Sequence, residues 1–200
     1  MRLVAINYAT EDYLSAARAQ ARDYSIPVKT YQDEKKHIRG NGWWRWKPKI
    51  ILDALMGLGE DEALIYFDSR DIHTQVHFDL AKEYLTDNPL LLRKDYHPHI
   101  RYTKGDCYAL MDCMRFFNEE PIQLEAGFIG LRKTDFTIAF MKEWSKWLDV
   151  DKVVNDDPSE YPNHPSFIDH RHDQSVLMNL ALIHDLPMVT IHGIDCNKRP

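Results

Sequence analysis

The chain has 200 residues, a net charge of −6 and 12% aromatic residues. That is enough for one domain with a sizeable core. Charges of both signs are interspersed and no basic run stands out, which excludes wholesale nucleic-acid binding. An anionic ligand would have to be met by a metal ion or by a few local Lys and Arg side chains. The opening "MRLVAINYAT" is too short an apolar run for a signal h-region or a membrane span, so a soluble, cytoplasmic chain is expected. Cys107, Cys113 and Cys196 form no CxxC pair, as for reduced thiols used in packing. The polar end, "DCNKRP", suits a domain cut from a longer chain.

Arg2 to Tyr8 reads as a buried parallel strand. Thr10 can cap the helix that follows, with Ala16, Ala17, Ala19 and Ala21 in its body. After Pro27, Val28 to Tyr31 reads as a second strand. This β-α-β opening predicts an α/β fold with a mostly parallel central sheet flanked by helices. Pro48 suits the first turn of a helix. Ile50, Ile51, Ala54, Leu55 and Leu58 make its inward face, and Gly57 and Gly59 supply exits. Ala63 to Phe67 is a third strand that delivers Asp68 to the carboxyl edge of the sheet, where open α/β sheets bind ligands.

Leu90 to Leu92 predicts a short strand, and "KDYHPHIRYTKGD" a polar, flap-like loop. Asp106 to Phe117 reads as a helix, and Gln123 to Leu131 as a strand broken by two glycines. Thr134 can cap a helix to about Leu148. Asp149 to Arg171, rich in proline and acids, reads as a long surface loop, of the kind usually functional or mobile. Asp173 starts a helix, and "PMVTI" reads as a last strand.

Asp68 and Asp71, at the end of a buried strand, repel each other, and something positive must offset that. Arg70 or capping of the next turn would serve. So would a divalent cation, since Mg²⁺ and Mn²⁺ take hard oxygen ligands and bridge carboxylates to phosphates.

Three segments carry a resemblance. "WRWKPKIILDAL", followed by "LIYFDSRD", resembles GT-A-fold glycosyltransferases with a Trp-Lys-Pro helix start before a strand ending in Tyr-x-Asp-Ser. "HDQSVLMNLAL" resembles the Asp-Gln helix of glycosyltransferase family 8 and its relatives. "LEAGFIGLRKT" resembles their glycine-containing strand that lines the sugar pocket. The chain is also similar to chlorovirus-encoded capsid glycosyltransferases, which would put it in a host cytoplasm. The resemblance implies a single GT-A (Rossmann-like) domain over residues 1–200. It also implies a UDP-sugar donor, a glycan or glycoprotein acceptor, and Mn²⁺ or Mg²⁺.

The resemblance further implies roles for single residues. Tyr8, Ala9 and Thr10 would sit over the base, although Thr10 can equally be a cap. Asp33 would bind ribose or base, or be an exposed turn acid. Arg39 and Lys47 would contact phosphate or sugar, and Lys47 at a helix N-terminus needs an anion nearby. Asp68, Ser69, Arg70 and Gln174 would contact the donor, and Asp68, Asp71 and His192 would hold the metal. The spacing departs from the usual Asp-x-Asp, with Arg70 where an acid often stands. Asp173 would face the donor sugar, unless it is only a helix cap, and Glu125 could reach the acceptor.

Other readings stay open. Trp43, Trp44 and Trp46 can stack on a sugar or staple the core. His97 and His99 form an H-x-H without the thiolates that would point to zinc. A dehalogenase-type phosphohydrolase wants Asp-x-Asp-x-Thr/Val near its first strand, and the residues after Asp68 do not match. A nucleotidyltransferase wants a glycine-rich loop after the first strand, and "NYATED" has no glycine. A catalytically silent sugar- or nucleotide-binding module is the remaining alternative.

Overall fold

The structure, a computed structural model, describes residues 1–34, 36–69, 71 and 73–190, with the backbone alone for residues 20–23. In chain order the elements are β1 (Arg2–Ala9), α1 (Leu14–Asp23), β2 (Val28–Gln32), α2 (Arg39–Trp43), α3 (Lys47–Met56) and β3 (Glu62–Phe67). There follow α4 (Gln75–Asp87), β4 (Leu90–Pro98), α5 (Gly105–Leu110), β5 (Ile122–Arg132), α6 (Asp135–Leu148), α7 (Asp151–Val154) and α8 (His172–Ile183).

One sheet runs β2-β1-β3-β5-β4. β1 is parallel to both β2 and β3, whereas β5 is antiparallel to β3 and β4. The expected α/β architecture is therefore present, with β5 reversed inside an otherwise co-directional sheet. Both faces of β1, β3 and β5 are covered, which is why these strands read as largely apolar runs. Leu64 and Tyr66 face a layer built on α3, α5, α6, α7 and α8. Alternate residues Ala63, Ile65 and Phe67 face Phe78, Ala81 and Leu85 of α4.

β5 changes face part-way. Leu124 and Ala126 belong to the larger layer, Phe128 to the α4 layer, and Ile129 and Leu131 to the larger layer again. An odd step in a period-two pattern requires a bulge. The register confirms it: Leu92 pairs with Ile129, yet Arg93 pairs with Glu125. The glycines do not break the strand. Gly130 pairs within the ladder, and Gly127 lies in the bulge.

Several expectations are corrected. The predicted loop after Lys94 is sheet edge as far as Pro98, its polar residues facing outward, and Lys94 donates its N–H to Val189 O at 2.8 Å. The helix predicted to reach Phe117 ends at Leu110. Asp112 takes a left-handed φ of 55°, and Met114–Phe116 is a separate 3₁₀ turn. Gly57 caps α3 with φ −80°, so that exit uses no left-handed residue. Of the expected last strand, Ile191 lies outside the described residues, and among those described one bridge is present, Val189 to Arg93. Thr10 makes no side-chain cap, since a 3₁₀ turn intervenes before α1. Thr134 does cap α6, accepting from Thr137 N at 3.1 Å while Thr137 Oγ1 accepts from Thr134 N at 3.0 Å. Cys107 and Cys113 are buried, and burial pushes both thiols up, Cys113 to about 12.

The segment 149–171 is not a free loop. It satisfies the N-terminus of α5: Asn163 Oδ1 accepts from Gly105 N at 2.7 Å and Ser159 Oγ from Asp106 N at 2.8 Å. Lys104 Nζ donates to Asn155 O and Oδ1 at 3.0 and 2.8 Å, and His170 Nε2 to Val153 O at 2.9 Å. Gly105 permits this wrapping, because a Cβ there would lie 2.3 Å from Tyr161 O and 2.5 Å from Pro162 O. Backbone cannot yield as a side chain can. Gly105→Ala is therefore expected to cost about 1–3 kcal/mol of stability and to expose residues 155–163 to limited proteolysis. A urea midpoint and cleavage pattern equal to wild type would contradict this account of the loop.

Candidate active site

Lys47 opens α3 between Trp46, at the N-cap, and Pro48. A cation at a helix N-terminus opposes the macrodipole, and burying it costs several kcal/mol unless it is well paired. Lys47 is nonetheless only 2% exposed. Its ammonium lies 2.7 Å from Asp173 Oδ2 and 3.4 Å from Asp68 Oδ1, and donates to Ala126 O at 3.2 Å. The ammonium thus has two ion-pair partners and one hydrogen-bond acceptor. These come from the start of α8, the end of β3 and the bulge of β5.

The two carboxylates differ in access. The Asp68 side chain is 34% exposed and takes a hydrogen bond from Tyr66 Oη. Tyr66 and Asp68 share a strand face by their i, i+2 spacing. Asp173 is only 5% exposed. Burial raises its carboxyl to about 6, against the pull of Lys47 and with Asp68 adding to the rise. Near neutral pH the pair is an ion pair, and Lys47 is held above its ordinary value by the two acids. Arg171, not Asp173, occupies the N-cap of α8, and Asp173 sits in its first turn. The alternative of a simple N-cap is thereby set aside, and Asp173 is a counter-ion to Lys47.

A second group of acids meets at Gly127. A Cβ on Gly127 would stand 2.6 Å from Asp71 Oδ2, 3.3 Å from Asp68 Oδ2 and 3.5 Å from Glu125 Oε1. Glycine leaves room for carboxylates from two elements to approach one backbone, and a Cβ there would make Asp71 shift. Asp71 is raised to about 7 by burial, Asp68 and Glu125, with Arg93 and Lys47 acting against the rise. Arg93, buried, forms an ion pair with Glu125. The oxygens of Asp68 and Asp71 suit a hard divalent cation. Among the described residues no three His, Cys, Asp or Glu side chains are arranged as a ready metal site. The expected third ligand, His192, lies outside the described residues, as does Arg70.

The aromatic end of the site lies beside this junction. Tyr8 stacks on Trp46 with ring centroids 3.6 Å apart and planes at 16°. Its hydroxyl accepts from Asn41 Nδ2 at 2.6 Å. Asn41 belongs to α2, which is a left-handed turn. Gly40, Asn41 and Gly42 have φ of 60°, 56° and 104°, and Trp43 and Trp44 continue at 59° and 56°. Asn tolerates this region, whereas each of the two tryptophans there costs about 1–2 kcal/mol. Trp43 and Trp44 stack on His172, at 5.0 and 5.3 Å.

The remaining predicted residues are placed as follows. Ala9, Thr10 and Ser69 are buried at the ends of β1 and β3. Asp33 is exposed after β2, near enough to raise the Tyr8 hydroxyl, though burial of Tyr8 raises it more. Gln174 Oε1 accepts from Ala126 N at 3.3 Å, tying α8 to the bulge. Arg39 does not join the junction. Its guanidinium pairs with Asp169 at 2.7 Å and Asp156 at 3.6 Å. His97 and His99 form no pair: His97 packs on Tyr102, whereas buried His99 donates from Nε2 to Asn179 Oδ1 at 2.9 Å. Burial lowers His99 to about 4. Tyr66, Arg93, Asn41 and Gly127 were missed as site residues. Gly127 inside an apolar run beside Glu125, and the Gly-Asn-Gly of the turn, were signals that could have found two of them.

No family model and no curated protein matches the chain. Among solved structures, mouse xyloside xylosyltransferase 1 is similar at 10% identity and TM-score 0.49, over 96% of this chain and 85% of that one. Galactosyltransferase LgtC, solved with donor and acceptor sugar analogues, is similar at 13% and 0.48, over 88% and 69%. A glycosyltransferase involved in glycosylation of the major capsid of PBCV-1 stands at 13% and 0.45, over 85% and 82%. A 4-diphosphocytidyl-2C-methyl-D-erythritol synthase from Anaerococcus prevotii, of different chemistry, stands at 9% and 0.45, over 100% and 92%.

The raised carboxyl of Asp173 makes a stability prediction. Between its unfolded value of 3.8 and its folded value of about 6, the folded chain holds the proton more tightly. The corresponding stability is complete below pH 3.8 and is lost as pH rises through about 6. Two units correspond to on the order of 3 kcal/mol. Asp173→Asn removes that slope, so urea unfolding from pH 4 to 7 should show the variant gaining on wild type by a comparable amount. Parallel pH profiles for the two proteins would refute the assignment.

Proposed function

We propose that the chain is a glycosyltransferase that uses a UDP-sugar and Mn²⁺ or Mg²⁺ to glycosylate a glycan or glycoprotein acceptor. One observation carries the reading. The Trp-Lys-Pro start, the Tyr-x-Asp-Ser strand end, the Asp-Gln helix and the glycine-containing strand are far apart in sequence. All four meet at the Lys47 ammonium, through Asp68, Asp173 and Ala126 O. No requirement of the fold alone brings together the particular residues on which the resemblance rests.

Breaking an anomeric C–O bond leaves positive charge on the sugar and negative charge on the departing diphosphate. Asp68 and Asp71 would hold the cation, which would offset the diphosphate charge as a Lewis acid. Lys47, buried and paired with acids of its own chain, acts by holding Asp68 and Asp173 in place and not by touching phosphate. Asp173, ionised above about pH 6, is the negative group available to the sugar. Glu125, oriented by Arg93, would face the acceptor. Tyr8 and Asp33, beside one another, would recognise the nucleoside.

The low exposure of Asp173 favours a second reading, a nucleotide-binding module without turnover. Calorimetry and a donor-hydrolysis assay separate the two. UDP binding strengthened by Mn²⁺, with donor turnover, is expected. Asp68→Ala should lower turnover by about 100-fold or more, as loss of a group acting on the transition state does. Asp71→Ala should weaken Mn²⁺ dependence. Binding without turnover supports the module, tighter GDP than UDP binding overturns the base assignment, and full activity of both variants in EDTA removes the metal.

A further inference from the structure

We propose that residues Arg39 to Trp46 form a strap over Tyr8, and that Asn41 and Trp46 set the affinity for nucleotide by having to be displaced. The proposal rests on the nucleoside role given above to Tyr8. It starts from an obstruction. Tyr8 is only 8% exposed. One face is covered by the Trp46 ring, nearly parallel at 3.6 Å, which is the geometry a bound base would adopt. Its hydroxyl is held by Asn41 Nδ2. A base cannot stack on that face while Trp46 does.

The covering segment is built to move as a unit. Trp46 Nε1 donates to Gly40 O at 3.0 Å, so the covering ring is fastened to the turn. Asn41 Nδ2 also donates to Glu34 O at 3.1 Å, and its Oδ1 accepts from Lys36 N at 2.5 Å, which fixes the turn to the exit of β2. Five consecutive left-handed residues, three of them not glycine, store strain in that turn. Elsewhere the segment is held by the partly exposed ion pairs of Arg39 with Asp169 and Asp156 and of Arg45 with Asp151, and by Trp43 and Trp44 stacked on His172. The strap is thus held by side-chain pairs and ring contacts and opposed by its own backbone. A uracil stacking on Tyr8 would take the place of the indole and release the Asn41 bond.

The test uses UDP, calorimetry and amide hydrogen exchange on the full chain. Asn41→Gly removes the latch while keeping a backbone that takes φ 56° without strain. Trp46→Phe removes the bond to Gly40 and shrinks the cover. Both should bind UDP at least fivefold more tightly than wild type, and UDP should speed exchange of the Trp44 and Arg45 amides in wild type. Unchanged or weaker UDP affinity in both variants overturns the strap while leaving the nucleotide reading standing. If neither wild type nor either variant binds any nucleotide, the reading of Tyr8 fails and the proposal falls with it. If the Trp44 and Arg45 amides exchange as slowly as those of α3 with UDP bound, the segment is a fixed wall and the proposal is likewise overturned.

Discussion

A buried ammonium organises this molecule. Lys47 stands where a helix N-terminus repels it and where water cannot reach it. It is tolerable only if α8 delivers Asp173, β3 delivers Asp68 and the β5 bulge delivers the Ala126 carbonyl. Removing one partner from such a pair typically costs 3–5 kcal/mol, about the scale on which a small domain's stability is decided. The positions of α3, α8, β3 and β5 are therefore coupled through one side chain. Apolar packing brings these elements together, but it does not fix their register to a fraction of an ångström. The two ion pairs and one hydrogen bond of Lys47 do.

The bulge in β5 serves the same end by a different route. An uninterrupted strand would carry Ala126 O into the ladder with β4. The extra residues instead free it for Lys47 and free Ala126 N for Gln174. The same irregularity aims Gly127 at Asp68 and Asp71, where a Cβ would displace the Asp71 carboxylate. Arg93 then offsets part of the charge that the crowding creates. Charge concentrated in this way has no packing benefit. Its cost is visible in Asp71, pushed to about 7, and such costs are ordinarily retained where charge has a chemical task.

The sequence made the fold legible where burial dictates pattern. β1, β2, β3, β5, α3, α6 and α8 follow from apolar runs, Pro48 and the Thr134 cap. It was misleading where polar residues are held by other polar residues. Lys94 to Pro98 looks like loop because a sheet edge needs no apolar alternation, and 149–171 looks free because its bonds go to α5, some 50 residues upstream. In the site, the types and order of Lys47, Asp68, Asp173 and Glu125 were readable, but not their pairing. That Lys47 answers to carboxylates of its own chain, and Arg39 to Asp169 and Asp156, depends on distances that no local pattern encodes.

Consecutive residues at the start of α3 have opposite duties. Trp46 lies on Tyr8 and is fastened to Gly40, whereas Lys47 is anchored by two ion pairs and one hydrogen bond and followed by Pro48. Any motion of the Trp46 ring cannot be taken up by α3, since that would pull a buried ammonium off its carboxylates. It must be taken up upstream, where Gly40, Asn41 and Gly42 carry positive φ at little cost and where the strained Trp43 and Trp44 gain from leaving it. The junction around Lys47 thus does more than hold acids in place. It fixes one end of the aromatic cover and confines movement to the turn whose sequence, Gly-Asn-Gly, is suited to bear it.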